Sequence, residues 1–186
     1  SAVQTIGDVK VYLEPNSGVL EVSPFASGQK KRAIQSFTLN SCGNVTVDEI
    51  RFNTTGTYSY TDISRFQLWT GIENDLSSAA QISTDISTGL GVGTHEFKDI
   101  GLALSPGQIH YLWITADASS SPASSKTINI SALSASDITP SFATPTGYSD
   151  IGAEQTFSNT CDWTHAQSQT INSIANAGSG YQVKVV

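Results

Sequence analysis

Short runs of alternating apolar and polar residues fill almost the whole chain, and turn residues separate each run from the next. Residues 9–13 and 181–185 alternate in this way, and Gly, Pro, Asn and Ser cluster between such runs. A period of two is typical of strands with one buried face. Helical spacing is limited to the short segment 166–175. The pattern predicts an all-β protein, an antiparallel β-sandwich of about eight to ten strands, immunoglobulin-like or jelly-roll-like.

Two of the runs predict further detail. In residues 45–52 the alternation slips by one position, which predicts a β-bulge at Asp48 and Glu49. Residues 109–114 are apolar on both faces. This pattern favours a central strand that is covered on both sides, with Trp113 in the core.

No linker or internal repeat divides the 186 residues, so we expect one domain spanning 1–186. Residues 151–186 are expected to form a tail that packs on the sandwich. Residues 1–13 have two interpretations. They either complete the chain's own sheet or extend as a donor strand to the sheet edge of a neighbouring copy, an arrangement that propagates as a filament.

The charge balance excludes some partners. The formal net charge is -7, and only 13% of residues are charged. This balance argues against nucleic-acid binding through a basic face. No apolar run approaches the ~20 residues of a membrane span, so we expect no membrane insertion. The opening Ser-Ala-Val suits the mature end left by signal cleavage, and we expect a secreted or cell-surface location.

The cysteines and sequons fit the same compartment. Cys42 and Cys161 are predicted to form one disulfide, and the alternative is two buried free thiols. Asn44, Asn53 and Asn129 each open an N-x-S/T triplet, and they are glycosylation candidates if the source organism glycosylates.

Four motifs carry a family resemblance. They are FNTTGT at 52–57, DISRFQLWTG at 62–71, LSPGQIHYLWITAD at 104–117 and PTGYSD at 145–150. Together they resemble a secreted β-sandwich module found at the N-terminus of BNR-repeat sialidases and in surface proteins of the Bacteroidetes type. The resemblance covers about residues 31–150. It implies an accessory or structural module, since no Asp-box repeat or arginine triad accompanies it.

Candidate catalytic and metal-binding residues are scattered. His95, His110 and His165 lack ligand spacing, and His110 is expected to be a hydrogen-bonded structural residue within its strand. Asp48 and Glu49 are adjacent, so a strand would point them to opposite faces, unlike a glycosidase pair. The sequence also lacks a nucleophile elbow and phosphate-binding glycine loops. We therefore expect no enzyme activity, no cofactor and no metal.

Calcium is the remaining metal to consider. Asp62 and Asp150 have no acidic neighbours, and residues 73–75 lack the spacing of an EF-hand loop. We interpret all three sites as solvated turn residues.

The aromatic residues are the one binding signal. Tyr58, Tyr60 and Trp69 are candidates for stacking on sugar rings, and the alternative is packing within loops or between strands. Trp163 and His165 carry the same ambiguity.

Two functions remain. The first is a non-catalytic extracellular structural or adhesion protein of the cell surface, in its most specific form a filament subunit assembled by β-strand donation. The alternative is a carbohydrate-binding accessory module of a secreted glycoside hydrolase. The corresponding partners are copies of this chain or surface glycans.

Overall fold

The alternating runs form two β-sheets in the computed structural model, which describes residues 8–159. The strands of this part of the chain are β1 (Lys10–Pro15), β2 (Phe25–Ala26), β3 (Arg32–Ser41), β4 (Val45–Gly56), β5 (Ile63–Gly71), β6 (Ala80–Gln81), β7 (Gly93–Phe97), β8 (Leu102–Leu104), β9 (His110–Ala118), β10 (Thr127–Ile130), β11 (Ile138–Pro140), β12 (Thr144–Gly147) and β13 (Gln155–Ser158). One turn of 3-10 helix spans Ala135–Asp137.

The first sheet has the strand order β12-β1-β3-β9-β5-β6, and the second has the order β11-β4-β10-β13-β2. Strands β7 and β8 also pair with β4. The all-β sandwich architecture that the alternation predicts is therefore confirmed. The predicted strand count is too low, because strands such as β2, β6 and β8 have only two or three residues and leave no readable alternation.

The sheets are mixed rather than purely antiparallel. β1 runs parallel to β12, and β2 runs parallel to β13. Alternation reports which face of a strand is buried, but it does not report the direction of the neighbouring strand. The expectation of an antiparallel sandwich is wrong in this respect.

The predicted bulge in β4 is confirmed. Strand β11 pairs Thr139 with Glu49 and Pro140 with Val47, so Asp48 is the extra residue. The carbonyl oxygen of Asp48 accepts a hydrogen bond from the amide of Ile100 at 3.0 Å. The bulge keeps both halves of the long strand facing the core, since it absorbs the one-residue slip in the alternation.

The core lies between the two sheets. Its fully buried aliphatic and aromatic side chains include Val11, Leu13, Phe37, Leu39, Phe66, Leu68, Leu112 and Ile114 of the first sheet and Val47, Ile50, Phe52, Phe97, Ile128 and Ile130 of the second. Phe52 connects the layers. Its ring meets Phe66 edge-on at 5.5 Å and stacks on Phe97 at 5.2 Å.

Strand β9 is central in the first sheet, between β3 and β5, as expected from its two apolar faces. Trp113 is buried, with 4% of its surface exposed, but it does not belong to the core cluster. It lies on the outer face of the sheet, where it stacks with Tyr111 at 6.3 Å. The prediction that Trp113 is buried is confirmed, but the prediction that it belongs to the core is wrong. Alternation does not distinguish the interior of the sandwich from an outer face that other side chains cover.

The described part of the N-terminal segment belongs to the chain's own sheet. β1 pairs with β12 on one side and with β3 on the other, and Val11 and Leu13 are buried in the core. Residues 10–13 are therefore not a free donor strand. Residues 1–7 lie outside the described residues.

The tail that was expected to pack on the sandwich begins inside it. β13 pairs with β10 and β2, and Phe157 stacks on Phe25 at 5.0 Å. Residues 160–186 lie outside the described residues, and so does the helix candidate at 166–175.

Within residues 8–159, no helix has the length and apolar character needed to cross a bilayer.

Gly147 allows β12 to lie close to β1, and its replacement tests this contact. It has φ +100°, and a Cβ atom would collide with the carbonyl oxygen of Leu13. We expect Gly147→Ala to lower the free energy of unfolding by about 2–4 kcal/mol. Gly101 is the matched control, because it has φ +57° but open space around it. Gly101→Ala should cost about 1 kcal/mol, and equal losses in urea unfolding would contradict the close approach.

Candidate functional site

A cleft of about 720 Å³ opens beside the loop that joins β4 to β5. Its lining residues come from this loop, from the start of β5, and from the segment that leads into β7: Tyr60, Thr61, Ile63, Ser64, Ser87, Thr88, Gly89, Leu90, Gly91, Val92, Gly93, Thr94 and His95. This volume lies within the ~300–1,000 Å³ typical of small-ligand sites. We call this the Tyr60 cleft.

Apolar surface in the Tyr60 cleft is partly accessible. The side chains of Tyr60 and Val92 are 69% and 52% exposed, whereas Leu90 and Ile63 are buried. Tyr60 combines a flat apolar ring with a polar hydroxyl group, which suits stacking on a sugar face. The cleft therefore offers one accessible ring above an apolar base.

The segment 88–93 forms one wall, with glycine at every second position from 89 to 93. Cβ atoms built at these three glycines would meet nothing within 4 Å, so this wall presents bare backbone to open space. Gly89 has φ +64°, a conformation that L side chains rarely adopt. The wall can therefore bring backbone N–H and C=O groups close to a ligand.

A buried polar network supports this wall from beneath. Thr54 Oγ1 lies 2.7 Å from the Tyr58 hydroxyl and 3.0 Å from His95 Nε2. It also accepts a hydrogen bond from the backbone amide of Gly93 at 3.2 Å, and the carbonyl oxygen of Gly93 lies 3.2 Å away. All three side chains are buried. Thr54 thus links β4 to the start of β7 below the cleft.

His95 is held as a neutral ring. Its plane packs near Phe66 and Phe52, with centroids 4.9 and 5.2 Å away. Desolvation by this burial lowers the pKa of His95. A hydrogen bond to the backbone of Gly91 raises the pKa, but the effect of burial is larger. A neutral imidazole has one N–H and one acceptor nitrogen. We assign the N–H to the Gly91 carbonyl, which leaves Nε2 to accept from Thr54.

Asp62 holds the loop that carries Tyr60 and Thr61. Its carboxylate accepts hydrogen bonds from the amide of Ser59 at 2.7 Å and from the amide of Ala123 at 2.6 Å. The residue is 2% exposed. The side chain is therefore an internal clamp between two loops rather than the solvated turn residue that the sequence suggested.

The three predicted stacking residues do not share one surface. Tyr58 is 4% exposed and bonded to Thr54, so it cannot stack on a sugar, and this part of the prediction is wrong. Burial raises the pKa of the Tyr58 phenol, although its hydrogen bond with Thr54 lowers it. Only Tyr60 lines the cleft with its ring accessible.

Trp69 lies six residues into β5, about 20 Å along the strand from Ile63. One face of its indole is covered by Lys31 Nζ, 3.7 Å from the ring centroid, and its N–H donates to Thr115 Oγ1 at 2.9 Å. Its role here is inter-strand and cation–π packing, which was the alternative interpretation. Trp163 and His165 lie outside the described residues.

The second predicted histidine differs from expectation. Both ring nitrogens of His110 are buried and have no hydrogen-bond partner among residues 8–159, so it is not the hydrogen-bonded residue that its position suggested. Burial lowers the pKa of His110 as well. The strand pattern predicts where a side chain points, but not whether a partner faces it.

The predicted covalent sites are partly described. Cys42 is exposed and forms no disulfide within residues 8–159, and its sulfur accepts a hydrogen bond from the amide of Lys10 at 3.2 Å. Cys161 lies outside the described residues, so the disulfide stays a prediction. Asn44 and Asn53 are exposed. Asn129 is half-buried, and its side chain accepts from the amide of Ile130 at 2.7 Å.

The candidate cation ligands do not assemble. Within the described part of the chain no group of three or more His, Cys, Asp or Glu side chains could hold a metal ion. In the segment 73–75, the Asp75 carboxylate accepts from the amide and hydroxyl groups of Ser77 at 2.9 and 2.8 Å. Asp150 is an exposed residue whose carbonyl oxygen accepts from Gln35 Nε2 at 2.8 Å.

Sequence reasoning missed most of the Tyr60 cleft. The glycine alternation TGLGVG at 88–93 was the available signal, and it carries no side-chain chemistry of its own. The sequence analysis considered His95 only as a metal ligand, and it lacks ligand spacing. Its contacts with Thr54 depend on the pairing of β4 with β7, which places Phe52 opposite His95 and Thr54 opposite Gly93.

Comparison with known proteins adds no family. No family model matches the chain, and no curated protein matches it. The resemblance to the sialidase-associated module therefore stays a prediction.

The network beneath the cleft can be measured through stability. We expect Tyr58→Phe to lower the free energy of unfolding by about 1 kcal/mol, because it removes one buried hydrogen bond. Thr54→Val should cost about 2–3 kcal/mol, since it leaves several buried groups without a partner. Tyr60→Phe removes an exposed hydroxyl group and is the control. A Tyr58→Phe protein as stable as Tyr60→Phe in urea would contradict the network.

The buried histidines predict a pH dependence. His95 and His110 have pKa values lowered from 6.5, so the unfolded chain binds protons that the folded chain does not. Their contribution to stability is complete above about pH 6.5 and is lost as the pH falls. We expect thermal midpoints to fall between pH 7.5 and pH 5, and His95→Gln and His110→Gln each to flatten the slope. A flat wild-type profile in this window would refute the assignment.

Proposed function

We propose that this chain is a non-catalytic extracellular adhesion module that binds glycans in the Tyr60 cleft. The observation that carries the proposal is the accessible Tyr60 ring, 69% exposed, beside a wall of bare glycine backbone and hydroxyl side chains. Sugar recognition needs such a combination of an aromatic face and closely placed polar groups.

The buried network supports binding rather than chemistry. Both nitrogens of His95 already serve the fold, one toward Thr54 and the other toward Gly91. The hydroxyl group of Tyr58 is likewise engaged, at 2.7 Å from Thr54 Oγ1. These groups therefore act as a rigid support beneath the cleft, and preorganisation of this kind favours affinity.

The proposal also places the protein outside the cell and treats self-assembly by strand donation as secondary. The exposed sequons at Asn44 and Asn53 and the low charge suit a secreted or cell-surface protein. Assembly by donation of residues 10–13 is the weaker route, because β1 would have to leave both β3 and β12. Adhesion through a ligand site needs no such exchange.

A glycan array with defined variants tests the proposal. We expect the wild-type protein to bind a subset of glycans, and Tyr60→Ala to weaken that binding about tenfold, as the loss of one stacking ring predicts. Tyr148→Ala is the matched control, because Tyr148 is also exposed, at 62%, but does not line the cleft. Absence of glycan binding, or equal effects of the two variants, would overturn the proposed function.

A further inference from the structure

We propose that the Tyr60 cleft selects uncharged pyranose sugars and discriminates against acidic ones, such as sialic and uronic acids. This inference rests on the glycan-binding function proposed above. It follows from the charge and the hydrogen-bonding state of the groups around the cleft.

The lining of the cleft carries no fixed charge. None of its described lining residues is Asp, Glu, Lys or Arg. Proteins usually bind a sugar carboxylate through a cationic side chain, above all through the planar guanidinium group of arginine. A carboxylate in this cleft would lose hydration without gaining such a partner.

The basic side chains nearest in sequence are already paired. Arg65 follows the lining residue Ser64, but its Nη1 lies 2.7 Å from Asp85 and its Nε 2.8 Å from Asp117. Beyond His95, Lys98 Nζ lies 3.1 Å from Glu96, which also faces Arg51 at 3.5 Å. The carboxylates paired with these cations offset their positive charge, so the pairs attract an anionic sugar only weakly.

His95 does not supply a positive charge either. Desolvation lowers the pKa of His95, and its ring packs against the rings of Phe52 and Phe66. The net charge of the whole chain is -7, so the long-range field also repels an anion. Local and global electrostatics therefore act in the same direction.

The polar groups that remain match sugar hydroxyls. Ser87 and Thr88 are exposed and make no hydrogen bond with the described residues. Thr61 and Thr94 each hold one hydrogen bond, to Ser59 at 2.7 Å and to Asn53 at 3.5 Å, and keep further acceptor capacity. A hydroxyl group both donates and accepts, so it pairs equally well with either role of a sugar hydroxyl.

Matched pairs of glycans test the charge preference. The probes are galactosides with and without a terminal sialic acid, and glucans against their glucuronate counterparts. We expect the wild-type chain to bind the neutral member about tenfold more tightly, because a carboxylate finds no cation in the cleft. Binding to neutral glycans should change little between 0.05 and 0.5 M salt, because salt screens interactions between charges and a neutral glycan carries none.

A charge-adding variant makes the test specific to this cleft. Thr88→Lys places a cation on the lining, so it should raise binding of the acidic member of each pair at low salt. Thr84→Lys is the control, since Thr84 is also exposed but does not line the cleft. Both positions are exposed, and equal thermal midpoints would show that the variants fold.

The outcomes separate the two proposals. Wild-type binding that is equal or stronger for the acidic members would overturn the charge preference while the proposed function stands. Equal effects of Thr88→Lys and Thr84→Lys would overturn the assignment of the preference to this cleft. Absence of binding to any member would overturn the glycan-binding function, and the charge preference with it.

Discussion

The rest of the structure depends on the pairing of β4 along both of its edges. This twelve-residue strand pairs with β10 and β11 on one side and with β7 and β8 on the other. The bulge at Asp48 keeps its two halves facing inward, so that Phe52 reaches Phe66 of the opposite sheet. Two residues further along, the same strand pairs Thr54 with Gly93. Core packing and the support of the cleft thus depend on successive inward-facing residues of a single strand.

The cleft is built on polar groups that a simple apolar core would not contain. Thr54, Tyr58 and His95 are all buried, and such groups cost free energy unless each finds a partner. Here they satisfy one another and the backbone of Gly91 and Gly93. The same hydrogen bonds hold the glycine wall, whose open backbone would otherwise be free to move. Stability and ligand access therefore depend on the same set of contacts.

The predictions from sequence were right where a local pattern had one physical meaning. The slip in residues 45–52 required an extra residue, and the bulge lies at Asp48. The apolar faces of residues 109–114 required a central strand, and β9 lies between β3 and β5. Predictions were wrong where a partner decided the outcome, as for Tyr58, which Thr54 holds inside, and for His110, whose ring nitrogens have no partner within residues 8–159.

The sequence by itself determined the all-β class, the strand faces and the acidic, charge-poor surface, because side-chain periodicity and composition act locally. The tertiary structure decided which strands run parallel, that β1 completes its own sheet, and that Tyr60 stays accessible while Trp69 is covered by Lys31. These outcomes depend on contacts between residues far apart in the chain. Lys31 and Trp69 meet only because β3 and β5 both flank β9, and no local pattern encodes that order.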